Sequence, residues 1–465
     1  MESMILPIHT GTQAKPLYHQ LYARLTAEIQ SGALCAGEKL PAKRKLAADL
    51  HISLNTVDTA YQMLAAEGYV TAKPRSGFYV RSIERLAPRV RIADAPAVAP
   101  VTAPRYAYDF ETASIDTALF PFQTWRRLWR DAAANPALLN HGARQGDANL
   151  RGAIATYLHE YRGAQCCAAQ IVVGAGLEYL LGMLARLFHT ATFAVENPGY
   201  ARTHRILENN GAAVTFIPVD ENGLSATALA TSGATLAYVT PSHQFPSGVT
   251  MPIGRRIALL AWAKRTGGYL IEDDYDSEFR FDGKPLASLQ GLDDSGHVIY
   301  ISTFSKSIAP AIRIGYMVLP LPLLAVFEAE FGFYSSTVSR FEQQTLFRFM
   351  QEGYFARHLG RLRNTYRIRR DMLVNALAAG FGRENRAVHG AHTGLHLLLQ
   401  LRTAESERAL VEKAAAHGVH LNGLSAYYAA DTVAQCPPHT VVLGYAGLTE
   451  KEISAAVAAL KEAWG

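Results

Sequence analysis

The sequence predicts a multidomain chain: a small α+β domain first, then a large α/β domain with a mostly parallel sheet. Three observations lead there. A chain of 465 residues is too long for one ordinary domain. A stretch rich in proline and alanine, residues 81–105, divides it unequally. Before that stretch the apolar residues recur at helical spacing, and after it helical and strand-like patterns alternate.

The bulk numbers set limits. An apolar fraction of 49% supports a large core. The net charge of +5 is too mild to argue for nucleic acid by itself. Cys35, Cys166, Cys167 and Cys436 contain no C-x-x-C pair, and the adjacent two make a poor disulfide framework, so a reducing cytoplasmic setting is expected. The first twenty residues lack a basic stretch followed by a sustained apolar run, so no secretory signal is read. The apolar run from Val318 to Phe327 holds two prolines and is too short to span a bilayer, so no membrane partner is expected.

Residues 1–80 form the first domain. Leu17, Leu21, Leu25 and Ile29 make one helical stripe. Leu40-Pro41 introduces a short helix from about Ala42 to Leu50, with Lys43, Arg44 and Lys45 on its polar face. Ser53 is a good N-cap for a third helix. That helix buries Val57, Ala60, Tyr61 and Leu64 and leaves Leu54, Asn55, Thr56, Asp58, Thr59 and Gln62 outside. Gly68-Tyr69-Val70 and Gly77-Phe78-Tyr79-Val80 read as two strands, with Lys73, Arg75 and Ser76 at the tip between them. Two short helices joined by a tight turn suit major-groove reading. Asn55 offers a bidentate contact to adenine, and the Thr56 methyl a contact to thymine. The tip, with Arg75 and Gly77, would touch phosphate or the minor groove. A helical protein-interaction module is the alternative. Charge does not decide, since residues 1–80 carry 8 Lys/Arg against 6 Asp/Glu.

Residues 106–465 carry the second chemistry. The run Tyr269-Leu270-Ile271 ends in Glu272-Asp273-Asp274-Tyr275-Asp276, and Val298-Ile299-Tyr300-Ile301 ends in Ser302-Thr303-Phe304-Ser305-Lys306. A strand ending in carboxylates, followed by one ending in a hydroxyl-flanked lysine, suits pyridoxal 5'-phosphate (PLP). Lys306 would form a Schiff base with the aldehyde, and Asp273 would pair with the ring nitrogen. Tyr275 is placed for the phenolic oxygen. A metal site or a solvated strand end is the other reading of the acidic run alone, and no metal is expected. Val172-Val173-Gly174-Ala175-Gly176-Leu177 supplies a strand, a glycine turn and a helix N-terminus whose amides at Gly176 and Leu177 can hold phosphate. Arg313 would add a guanidinium, and Thr303 and Ser305 hydroxyls. Tyr200, on the turn Asn197-Pro198-Gly199-Tyr200, would stack on the ring, with a core tyrosine as the alternative.

The first domain resembles the winged helix-turn-helix of the GntR superfamily, through Leu40-Pro41-Ala42-Lys43-Arg44, Ser53-Leu54-Asn55-Thr56-Val57 and Ser76-Gly77-Phe78-Tyr79-Val80. His51 stands at a turn position that is usually glycine there, and Leu54 where arginine is frequent. The second domain resembles fold-type I PLP enzymes of the aminotransferase class. Glu272-Asp273-Asp274-Tyr275-Asp276-Ser277-Glu278-Phe279 and Thr303-Phe304-Ser305-Lys306 look like the MocR/GabR family, which fuses the two domains. The resemblance covers essentially the whole chain. It implies a homodimer with PLP at the interface, binding double-stranded DNA at two half-sites. It also implies effector contacts at Arg202, where a surface salt bridge is the alternative, and at His243 in Pro241-Ser242-His243-Gln244-Phe245-Pro246.

Departures from the aminotransferase pattern shape the functional expectation. Phe245 replaces the asparagine that touches the phenolic oxygen. Val442 replaces the carboxylate-clasping arginine. His141 stands where a partner-subunit tyrosine reaches the phosphate. The chain is therefore expected to be a PLP-dependent transcriptional regulator that senses an amino compound, or PLP itself, through a lysine aldimine. The alternatives are an active aminotransferase carrying a DNA-binding domain, and a regulator whose large domain is only a dimerisation scaffold.

Overall fold

The computed structural model describes residues 15–82, 106–282 and 286–465. They fall into two compact units that divide near residue 102. The proline-rich linker of the sequence reading lies almost wholly outside the described residues.

In the small unit, α1 (Leu17–Ser31), α2 (Lys43–Asp49) and α3 (Leu54–Ala66) precede a hairpin of β1 (Val70–Lys73) and β2 (Gly77–Val80). The stripe of α1 buries Leu21, Leu25 and Ile29 against Leu46, Val57, Tyr61 and Leu64. Leu17, at the start of the stripe, stays half-buried. Ser53 caps α3 as its sequence position predicts, its hydroxyl accepting from Thr56 N at 3.1 Å. The hairpin pairs Val70 with Val80 and Lys73 with Gly77, so Gly68 and Tyr69 lead into the strand and do not belong to it. His51 has φ 52°, the left-handed conformation that glycine adopts without strain. This explains physically why glycine suits that turn.

The large unit is built on an eight-stranded sheet. After the short β3 (Tyr108–Asp109) its strands are β4 (Ile171–Gly174), β5 (Thr192–Asn197), β6 (Ala213–Asp220), β7 (Gly223–Leu224), β8 (Leu236–Val239), β9 (Tyr269–Asp273), β10 (Val298–Thr303) and β11 (Gly315–Val318). The order is β4-β11-β10-β9-β8-β5-β6-β7. The run from β10 to β6 is parallel, while β11 and the two-residue β7 run against their neighbours. The inner parallel strands β5, β8, β9 and β10 are buried along nearly their whole length, which is why β8, β9 and β10 read as short continuous apolar runs, while β6, toward the edge, is largely half-exposed. The apolar run after Val318 enters the eleven-residue helix Leu321–Phe331. Among the described residues, no helix is long and apolar enough to cross a membrane.

A second layer lies toward the C-terminus. Strands β12 (Arg386–His389), β13 (His396–Leu401), β15 (Asn422–Gly423) and β16 (Thr440–Gly444) form an antiparallel sheet. It packs Leu397, Leu399 and Leu443 on the helices Tyr354–Phe381 and Glu450–Trp464. Strand β14 (Val419–His420) pairs with β3 instead, tying residues 108–109 to this layer.

Candidate functional site

The parallel pairing of β9 with β10 sets Asp273 opposite Ile301, so both strands release their polar ends at one edge of the sheet. The three consecutive carboxylates there have three different roles. Glu272 accepts from Leu289 N at 2.7 Å and Gln290 N at 2.9 Å, and burial pushes its pKa up to about 7. Burial also opposes ionisation of Asp274, but the Arg162 guanidinium at 2.7 Å outweighs it and holds this carboxyl below its ordinary range. Asp273 lies between them. Tyr238 donates to its Oδ2, Oδ1 has no partner among the described residues, and burial raises its pKa to about 7. All three are buried, so the acidic run is no solvated strand end.

Lys306 follows β10 by three residues and donates to the backbone carbonyls of Thr112 and, at 3.5 Å, Ser114. Burial lowers its pKa to about 8, although Asp276 and Glu111 favour the charged form. Thr303 Oγ1 accepts from Ser305 N at 3.4 Å, which turns the chain toward the lysine.

Gly176 has φ 86° and precedes the helix Leu177–Leu187. A Cβ on Gly176 would stand 2.8 Å from Arg313 Nη2, so the guanidinium lies directly over the glycine turn. Arg313 also donates to the Glu178 carboxylate and to Ala175 O at 3.3 Å. Arg202 lies 3.9 Å from the same carboxylate and is 67% exposed. Two arginines thus share one acid, and an anion at the helix N-terminus would compete with Glu178 for Arg313.

Aromatic groups wall the site. Tyr200, at the start of the helix Ala201–Asn209, meets Phe245 edge-on at 5.8 Å, and Phe245 meets Tyr427 at 5.1 Å. Tyr275 donates its hydroxyl to His243 O at 2.9 Å, so in this arrangement its proton is engaged within the protein. His243 is buried. Its Nδ1 lies 2.9 Å from Asp276, its ring packs 4.5 Å from His396, and its Nε2 has no partner among the described residues. The donor atoms of His243, Asp276 and His396 lie within 4.8 Å of one another, but His396 Nε2 is taken by Pro246 O at 3.1 Å. Gly394 permits this packing, because a Cβ there would sit 1.9 Å from His243 Cε1. Val442 is buried in β16 and packs with Leu398 and Leu424, with Tyr427, Tyr428 and Cys436 against the same cluster. His141 is exposed. A cavity of about 690 Å³ opens beside Tyr200, Tyr238, Thr240 and Tyr427.

The fold thus gathers Asp273, Tyr275, Lys306, His243 and Tyr200 around one sheet edge, and it sets Arg313 over the glycine turn at Gly176, where the helix from Leu177 begins. Arg202 stays at the rim. Sequence reading missed Tyr238, Arg162, and the carbonyls of Thr112 and Ser114. None carries a local signal, since each acts across more than thirty residues of sequence.

In the small unit, Arg44, Lys45 and Arg75 are exposed and form no ion pair among the described residues. Arg75 has φ 59° at the hairpin tip, and Gly77 has φ 120°. Asn55 is exposed, whereas the Thr56 hydroxyl lies 2.8 Å from Ser53 Oγ. Lys43, on the same polar face of α2, has a partner within the unit. It is bound to Asp58 and lies 4.7 Å over the Phe78 ring, because α2 and α3 pack closely enough to pair them.

Two family descriptions match the chain: "Bacterial regulatory proteins, gntR family" over residues 17–80, and "Aminotransferase class I and II" over residues 109–460. The chain is 33% identical to the probable rhizopine catabolism regulatory protein MocR of Rhizobium meliloti, over 97% of this chain and 94% of that protein. This chain belongs to the MocR/GabR family. Its MocR-type architecture is shared with the HTH-type transcriptional regulator YdeL of Bacillus subtilis, 38% identical over 99% of both chains. The large unit has the fold of the multiple substrate aminotransferase from Thermococcus profundus. That match has a TM-score of 0.68 and 24% identity, over 78% of this chain and 92% of that one.

Proposed function

We propose that this MocR-type chain is a PLP-dependent transcriptional regulator of the cytoplasm. In this reading a homodimer binds double-stranded DNA at two half-sites and responds to a small amino compound or to PLP itself. One observation carries the reading. Asp273 is buried and Tyr238 occupies one of its oxygens, which leaves Oδ1 without a partner among the described residues, at the edge of the sheet that also delivers Lys306. An unpaired buried carboxylate oxygen is costly, and a protonated ring nitrogen satisfies it.

The other residues fit the same group. The amides at Gly176 and Leu177, with Arg313, would hold its phosphate, and Tyr200 would cover its ring. When bound, PLP supplies an electrophilic carbonyl and an electron-withdrawing ring to primary amines. At a pKa of about 8, roughly a tenth of Lys306 is neutral and nucleophilic at neutral pH, far more than in an ordinary lysine. Val442 weighs against steady transamination, because its own side chain, buried with Leu398 and Leu424, supplies no cation to clasp a substrate carboxylate. On the DNA side, the start of α3 with Asn55 and Thr56 would enter the major groove, Arg44 would hold phosphate, and Arg75 and Gly77 form the wing. The response requires an effector that binds the two DNA-binding states with different affinity.

Two variants test the reading. Lys306→Ala should lose the visible absorbance band formed with PLP, together with the effector response, and keep its affinity for promoter DNA. Arg44→Ala should keep the band and bind DNA more weakly, with a shallower salt dependence. A wild-type chain that forms no band with PLP would refute the cofactor reading. Steady turnover of an amino donor and a keto acid would replace the sensor with an aminotransferase carrying a DNA-binding domain.

A further inference from the structure

The first turn of α3 carries a large apolar side chain that the core does not use. On a helical wheel Leu54 stands one turn before Val57 and continues the buried stripe. It nevertheless joins neither the core of the small unit nor the partly buried groups packed against that core, and it is 46% exposed. A lone exposed leucine is ordinary on a protein surface. This one directly follows the N-cap of the helix assigned to the major groove, where the first residues of such a helix meet base edges.

The polar groups around Leu54 are already committed. Thr56 Oγ1 lies 2.8 Å from Ser53 Oγ, which also accepts from Thr56 N. Thr59 Oγ1 donates to Asn55 O at 2.9 Å. Asp58, one turn after Leu54, is bound to Lys43, so it is not free to accept from a cytosine amino group. Across residues 53–59, the Asn55 amide is the one polar side chain with no hydrogen bond among the described residues. Arg44 and Lys45 on α2 are exposed, without an ion pair among the described residues, and are free to grip phosphates on either side of the groove. The exposed start of α3 thus offers a base one amide and one isobutyl group. An isobutyl group has no hydrogen-bonding atom. In the major groove it matches a single feature, the C5 methyl that only thymine carries among the four standard bases.

We infer that Leu54 reads the C5 methyl of a thymine in each half-site, and that this apolar contact, together with the Asn55 amide, sets the base preference of the small unit. This inference rests on the DNA-binding reading and names what that same surface selects. It is independent of PLP.

The test takes the full-length chain, with and without PLP, through repeated selection from a random-sequence duplex pool. Each thymidine of the selected duplex is then replaced singly by deoxyuridine, which removes the methyl and keeps every hydrogen-bonding group. At one position in each half-site the replacement should weaken binding about fourfold, the worth of one buried methyl-sized group. Leu54→Ala should bind the thymine duplex about fourfold more weakly and bring the thymine-to-uracil ratio at that position close to one. Leu54→Arg, which can grip guanine O6 and N7, should move the preference at that pair toward G·C. Equal binding with uracil at every position overturns the inference. So does a Leu54→Ala chain that keeps the thymine preference, which would assign the methyl contact to Thr56, or a Leu54→Arg chain whose preference stays at thymine. A wild-type chain that enriches no sequence is a different failure, because it removes the DNA-binding reading and this inference with it.

Discussion

Replacing Lys306 by methionine should stabilise the PLP-free protein. The folded site holds this lysine at about 8, against an ordinary value of 10.5. Near neutral pH the group is charged in both folded and unfolded chains, so the folded state carries the whole cost of burying the charge. At about 1.4 kcal/mol per tenfold change in proton affinity, that cost is about 3 kcal/mol before allowance for residual water contact. Methionine keeps the length and removes the charge. It also strips the Thr112 and Ser114 carbonyls of their donor, a loss of about 1 kcal/mol. The net gain should be about 1–2 kcal/mol at about pH 7. The sign of the pH dependence follows from linkage. Between about 8 and 10.5 the unfolded chain binds more protons than the folded one, so wild-type stability rises with pH across that window. The advantage of the variant should therefore shrink as pH approaches 10.5. Urea unfolding followed by tryptophan fluorescence measures this cleanly, because all four tryptophans (Trp125, Trp129, Trp262 and Trp464) lie in the large unit. A Lys306→Met chain less stable than wild type near neutral pH, or a difference that stays constant with pH, would refute the reasoning.

Asp273→Asn should act in opposite directions on the two states. It removes a buried carboxyl whose Oδ1 has no partner, so the PLP-free protein should unfold at no lower urea concentration. PLP affinity, titrated by absorbance, should fall about tenfold or more as the ring nitrogen loses its anion. Arg162→Ala should destabilise the large unit by about 3–5 kcal/mol in the same unfolding assay, since Asp274 would be left buried without its cation. Because the folded Asp274 lies below its ordinary value, this contribution is present at neutral pH and is lost as pH falls into the acid range through the folded value. A cost below about 1 kcal/mol would mean that the pair is dispensable.

Local patterns were sufficient for much of this molecule. The 3.6-residue stripes fixed the three helices of the small unit, and Ser53 marked the start of α3 to the residue. Short apolar runs ending in polar groups located β9 and β10 and, at their ends, Asp273 and Lys306. Other features were not legible. The antiparallel layer of β12, β13, β15 and β16 follows weaker alternation, and its partners are distant in sequence. The pairing of Lys43 with Asp58 depends on the packing of α2 on α3, which no local pattern encodes.

The sequence by itself determined the two-domain plan, the elements of the small unit, the strands that carry Asp273 and Lys306, and the family, because periodicity, turn residues and motif spacing are properties of neighbouring positions. Only the tertiary structure decided what each charged group does. Glu272, Asp273 and Asp274 are adjacent in the chain and chemically alike. One is capped by backbone amides, one is paired with Arg162, and one keeps a free oxygen. The role of a buried charge depends on partners brought from far along the chain and on the water excluded around it, and neither is written in the local sequence.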